Sequence, residues 1–171
     1  RIYACGMSNG GYMAYELACE LSNRIAAFGS VTGKFMYNEN QLCEINRKIP
    51  IIHFHGTADE YARYEYSTDS SLTVQSSINF WIDKNDLSLS SIDTILVKKS
   101  SAKTYVEKYI YVHDDSSTEF VHFKVINGGH QWFGSKKGDL LQWIVGRNNH
   151  DINVNDELIN FFLKYKLSDF Q

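Results

Sequence analysis

Apolar and polar positions follow two rhythms along the chain. Arg1 to Gly6 is a short β-rich run that ends in glycine. From Ser8 to Ser22 the apolar residues Met13, Ala14, Leu17, Ala18 and Leu21 recur at helical spacing, which predicts a helix. Ile25 to Val31 is another apolar run, closed by Thr32-Gly33, and the polar stretch Lys34 to Lys48 reads as loop. Pro50 to His55 reads as a strand that runs into His55-Gly56-Thr57-Ala58-Asp59. Leu72 to Lys84 fits a helix through Val74, Ile78, Phe80 and Trp81, and Thr94 to Lys99 and Tyr105 to His113 read as strands. Glu119 to Ile126 alternates between two faces and ends at Asn127-Gly128-Gly129. After a loop-like stretch, Gly134 to Asn149, the chain closes with a helix from Asp151 to Leu167. Its expected buried stripe is Ile152, Val154, Leu158, Ile159, Phe162 and Leu163.

Strands alternating with helices give an α/β fold with a mostly parallel sheet and flanking helices. In such sheets, ligands sit at the carboxyl edge of the strands. Composition narrows the picture. With 171 residues, 43% apolar and 22% charged, the chain is one packed domain rather than a disordered or fibrous one. Its longest apolar stretches, such as Leu140-Leu141-Gln142-Trp143-Ile144-Val145, fall far short of the roughly 18 residues of a membrane span. Net charge is -3 with scattered lysines and arginines, so no nucleic-acid footprint is suggested. Cys5, Cys19 and Cys43 form no C-x-x-C and no disulfide framework. They read as small buried hydrophobes, the alternative being a Cys19–Cys43 bridge in an exported protein. Spacing does not separate the two.

The chemistry begins at Gly6-Met7-Ser8-Asn9-Gly10, a G-x-S-x-G between a strand and an amphipathic helix. A chain that turns this sharply thrusts Ser8 outward, and bulky groups two residues to either side are expected to clash. The helix aims its amino end at Ser8, where negative charge develops during acyl transfer. A serine nucleophile needs a base and an orienting acid, which follow in the order acid then His in this kind of fold. Asp59 follows one strand, and His130 follows another strand and a Gly-Gly turn. Glu60 and Asp69 compete for the acid role. His113, His122 and His150 read as structural or surface residues. His53 and His55 share one strand face, but two imidazoles with no third ligand at fixed spacing support a nearby turn better than a metal. No metal and no cofactor is expected.

The segment Arg1-Ile2-Tyr3 through Gly10-Gly11, then Met13-Ala14-Tyr15 and Leu17 to Ser22, resembles the nucleophile segment of the polyhydroxybutyrate depolymerase and feruloyl esterase-like family of α/β-hydrolases. Arg24 to Ala27 and Val31-Thr32-Gly33 continue the likeness. His55-Gly56-Thr57-Ala58-Asp59 resembles that family's acid loop, and Gly128-Gly129-His130-Gln131-Trp132 its histidine loop. Asp151-Ile152-Asn153, Glu157-Leu158 and Phe161-Phe162 resemble its closing helix. The resemblance implies ester hydrolysis by a Ser8–His130–Asp59 triad without a cofactor. The Asn9 backbone N–H would be an oxyanion donor, and Trp132 would either line the substrate pocket or pack its loop. It implies a small or polymeric ester as partner and an extracytoplasmic or secreted setting.

Two departures stand out. Where the family carries prolines after the acid loop and after the histidine, this chain has Arg63 and Phe133. By the same resemblance the chain starts at what would be the fifth of eight strands. The expectation is a single partial domain over residues 1–171, the carboxyl-terminal portion of an α/β-hydrolase fold. The earlier strands and an oxyanion loop would then lie in a missing upstream segment needed to complete the sheet. A peptidase or acyltransferase on the same fold, or a non-catalytic fragment, would share these motifs.

Overall fold

A computed structural model of the chain describes residues 1–36, 43–68, 71–95 and 103–170. The elements in chain order are β1 (Tyr3–Met7), α1 (Asn9–Glu20), β2 (Ala27–Val31), β3 (Ile51–Gly56), α2 (Val74–Asn85), β4 (Ser88–Ile95), β5 (Tyr105–Val112), β6 (Glu119–Ile126), the single turns α3 (Lys136–Asp139) and α4 (Gln142–Val145), and α5 (Val154–Leu163), with a closing 3-10 turn at Leu167–Phe170. They form a mixed α/β fold with one six-stranded sheet, ordered β1-β2-β3-β6-β5-β4. The pairings β1–β2, β2–β3 and β3–β6 are parallel, and β6–β5 and β5–β4 are antiparallel. Parallel neighbours need long crossovers, whereas β4, β5 and β6 follow one another as a meander. No helix among the described residues is long and apolar enough to cross a membrane.

Alternation along the central strands separates two cores. Ile51 and Phe120 face Tyr15, Phe28, Ile78 and Trp81, the side covered by α1 and α2. Ile52, Phe54, Val121 and Phe123 face Leu158, Phe161 and Phe162 of α5. β2 and β3 are buried along their whole length, as strands covered on both faces must be. On the α1/α2 side, His53, His55 and His122 take positions that apolar residues fill elsewhere, all within 3% exposure.

Several sequence expectations shift. The expected Thr94–Lys99 strand begins at Ser88, a polar edge strand whose serines gave no apolar signal; residues 96–99 lie outside the described ones. Met13, Ile159 and Leu163 are exposed rather than buried, because α1 and α5 each bury a narrower stripe than their apolar residues span. The stretch Leu140 to Ile144 is exposed as well. Cys19 and Cys43 are joined in a disulfide that ties α1 to the segment before β3, and Cys5 is an exposed free thiol rather than a buried hydrophobe.

Candidate active site

All three sequence-selected groups lie at the carboxyl edge of the parallel strands: Ser8 just after β1, Asp59 after β3 and His130 after β6. Aligned register keeps these ends level, with Met7 opposite Val31, Val31 opposite Phe54, and Phe54 opposite Phe123.

Ser8 holds φ 54° and ψ -119°, a conformation costing a non-glycine residue about 1–3 kcal/mol. Backbone bonds hold it there. Its N–H donates to Val31 O at 2.9 Å, and its carbonyl accepts from Gly11 N and Tyr12 N. Serine at a helix start ordinarily turns its hydroxyl back to cap the helix. Here no side-chain capping bond forms, and the hydroxyl is left for other use. Of the two motif glycines only Gly6 is demanded sterically: a Cβ there would lie 2.5 Å from the Gly10 backbone, whereas one on Gly10 would meet open space. The expectation that both glycines relieve a clash is therefore corrected. The tight contact further on is Gly11 against Gly33, which seats α1 on the turn after β2.

The acid and histidine loops are pressed together. A Cβ on Gly56 would come within 2.2 Å of Gly128 O, and Ala58 N donates to that same oxygen at 2.9 Å. The other flank of the histidine loop is fastened by Gly129 N to Arg147 O and His130 N to Val145 O. This sandwich carries His130 Nδ1 to 2.8 Å from Asp59 Oδ2. Asp59 Oδ1 accepts from Tyr61 N at 2.9 Å and Ala62 N at 2.8 Å. Burial opposes charge on Asp59, but the His130 bond, the nearby His55 and the Ala62 N–H outweigh it and hold the carboxyl below its ordinary range. A His130 ring that donates from Nδ1 keeps the Nε2 lone pair free to accept a proton.

Behind Asp59 runs a buried chain of hydrogen bonds. His55 Nε2 donates to Ala62 O at 2.7 Å and lies 3.5 Å from Asp59 Oδ2. With that nitrogen protonated, neutral His55 accepts at Nδ1 from His53 Nε2, 3.2 Å away, and His53 Nδ1 accepts from the Tyr15 hydroxyl at 2.9 Å. The H-x-H pair thus fastens the acid loop to the core. His122 bonds the Tyr64 hydroxyl, His113 pairs with Asp115, and His150 with Asp139.

No hydrogen bond joins the Ser8 hydroxyl to His130 among the described residues: the structure brings Asp59 and His130 into contact, and Ser8 lies on the same sheet edge without bonding either. The Asn9 N–H, first of α1, likewise makes no hydrogen bond among the described residues. Glu60 is exposed and does not bond His130, and Asp69 lies outside the described residues. Trp132 donates its indole N–H to Asn155 Oδ1 at 3.0 Å and packs towards the α5 core. A cavity of about 610 Å³ opens beside Asn9, lined by Tyr12, Lys34, Tyr61 and Arg63 among others. The Tyr61 ring is 5.3 Å from the His130 ring. Sequence reading passed over Tyr12, Lys34 and Tyr61. For Lys34 a signal existed: it follows β2 at the same carboxyl edge as the other groups.

No family model matches the chain. Over 65 residues, 38% of the chain, it is 34% identical to a bifunctional acetylxylan esterase/xylanase of Neocallimastix patriciarum. The match covers 9% of that protein's length. This short likeness gives weak support to an ester or carbohydrate hydrolase. It lends none to polyhydroxybutyrate depolymerases in particular.

Proposed function

We propose that the chain carries the catalytic triad of a serine carboxylic-ester hydrolase. The observation behind this reading is the 2.8 Å His130–Asp59 bond, on the same sheet edge as a serine at positive φ. Ser8 Oγ attacks the ester carbonyl while its proton passes to His130 Nε2. Asp59 holds the ring in the tautomer this requires and stabilises the imidazolium. The Asn9 N–H faces the carbonyl oxygen as it becomes an oxyanion. The C–O bond to the alcohol then breaks, and His130 returns the proton to the departing oxygen. Water, activated by the same base, hydrolyses the acyl-serine and restores the hydroxyl. An acetylated polysaccharide is the substrate suggested by the relative's name; feruloyl and hydroxybutyrate esters are those implied by the motifs.

A fluorophosphonate probe tests the nucleophile. It should label the chain once, at Ser8, and Ser8→Ala should abolish labelling together with turnover of acetyl, feruloyl and hydroxybutyrate esters. Labelling that persists in Ser8→Ala refutes the assignment.

A further inference from the structure

Lys34 presents a problem of charge. Its residue is only 3% exposed, yet no carboxylate lies within ion-pair distance among the described residues. Its ammonium donates to Tyr66 O at 2.8 Å and to Arg63 O at 3.4 Å, two neutral acceptors for three N–H bonds. Burial lowers the Lys34 pKa and the charge of Asp59 only partly offsets it, because that carboxylate is committed to His130 and two backbone N–H groups. A buried cation is costly unless a negative partner meets it.

A second cation shares the wall. Arg63 lines the same cavity and makes no ion pair among the described residues; its guanidinium lies 5.8 Å from the centroid of the Tyr66 ring. In a chain of net charge -3, two cations with no carboxylate at ion-pair distance among the described residues therefore face one cavity, and the only acid on its described wall is the exposed Glu60. Tyr12, Tyr61 and Tyr66 line the same cavity, and the Arg63 guanidinium sits over the Tyr66 ring. The cavity reaches both halves of the site, through Asn9 on the Ser8 side and through Tyr61, whose ring neighbours His130.

We propose that this cavity is a carboxylate-recognising subsite, so that the preferred ester is borne by a molecule that also carries a free carboxylate, such as a uronic acid or a dicarboxylic half-ester. The proposal rests on the ester-hydrolase reading and names its substrate class. Arg63 grips the carboxylate through its paired N–H groups, the geometry in which arginine surpasses lysine. Lys34 fixes the Arg63–Tyr66 loop through its two carbonyls and sets the positive potential beneath it. The tyrosine faces pack on the rest of the substrate.

Two substrate pairs locate the carboxylate. For the acyl side, the para-nitrophenyl half-ester of adipic acid is compared with para-nitrophenyl hexanoate. For the alcohol side, para-acetoxybenzoate is compared with its methyl ester. One pair should show kcat/KM at least about tenfold higher for the anion, a preference that shrinks as salt rises. Arg63→Ala should cut that anion-to-neutral ratio by about tenfold, and Arg63→Glu should bring it below unity. Arg63 is exposed, so neither change threatens folding. Wild-type ratios at or below unity in both pairs, with Ser8 still labelled by the fluorophosphonate, overturn the subsite and spare the esterase. Ratios unmoved by Arg63→Glu also overturn it. Failure of the probe to label Ser8 overturns the esterase reading and the subsite with it.

Discussion

Two aspartate–histidine pairs in this chain have the same closest separation. Asp59–His130 joins two loops at the sheet's carboxyl edge, and Asp139–His150 lies in the helical-turn region between β6 and α5; each measures 2.8 Å. Both aspartates are also held below their ordinary pKa range by hydrogen bonds from their surroundings. Neither distance nor acidity therefore distinguishes them. What differs is the setting. The Asp59 side chain is fully buried and that of His130 is 10% exposed, against 39% and 50% for Asp139 and His150. Asp59 is clamped by two backbone N–H groups, whereas Asp139 is met, among the described residues, only by side chains, those of Gln142, Asn148 and His150. A buried, backbone-clamped pair has one geometry to offer a substrate; an exposed pair exchanges its partners with water.

The largest effect that tests this contrast is expected from Asp59→Asn. The new side chain keeps Oδ1, so the bonds from Tyr61 N and Ala62 N survive and the loop stays folded. In place of Oδ2 it presents an NH2 to His130 Nδ1. Two donors cannot share that contact, so the ring takes the other tautomer and loses the free lone pair at Nε2. On the proposed mechanism, kcat should fall by about a thousand- to ten-thousandfold, with fluorophosphonate labelling slowed alongside. A loss under about tenfold would mean that Asp59 is no more a triad acid than Asp139.

A middle-sized effect should appear in stability against pH. Burial pulls the His55 imidazole down to about 4, against the opposing pull of Asp59 and the Ala62 carbonyl; burial and then the neighbouring His55 pull His122 down to about 3, and His53 is lowered too. In the unfolded chain such rings titrate near 6.5. Their neutral burial thus contributes stability that is whole above about pH 6.5 and is lost as pH falls through about 4. For His55 alone the loss is on the order of 3 kcal/mol. Urea midpoints should decline between about pH 7 and about pH 4.5, and His55→Gln should flatten the decline. An unchanged slope in that variant would show that the ring behind Asp59 is as indifferent to protonation as a surface group.

Why one pair was legible in the sequence and much of the rest was not follows from where each constraint resides. Ser8, Asp59 and His130 each sit beside glycines or a strand end, because a sharp turn at a sheet edge must be written locally. The contact of Asp59 with His130 needed only those turns to lie on one edge. Gly10 shows the limit: the motif contains it, but Gly6 alone carries the steric demand. Lys34 read as part of a polar loop, because its burial comes from residues 63–66, some thirty positions later. The Ser88 start of β4 was hidden because the first residues of this strand are exposed on both faces, so burial imposes no apolar alternation there. The disulfide was one of two readings for Cys19 and Cys43, since pairing depends on a fold that spacing does not reveal.

The smallest expected effect belongs to Asp139→Asn, and it is the most searching. Asp139 gathers Gln142, Asn148 and His150, but it does so in the open, where water replaces lost partners and salt screens the charge. Asn148 keeps its other fastenings, donating to Ser135 O at 2.7 Å and accepting from Gly134 N at 3.3 Å. The melting temperature should therefore shift by no more than about 2 °C, and kcat/KM should stay within about twofold. Yet this same region holds the histidine loop from outside, through Val145 O to His130 N and Arg147 O to Gly129 N. If Asp139→Asn instead costs about tenfold in turnover with the melting temperature unmoved, the exposed pair steers the buried one through those two carbonyls. The two regions would then be a single device, and the contrast between them would be one of position rather than of function.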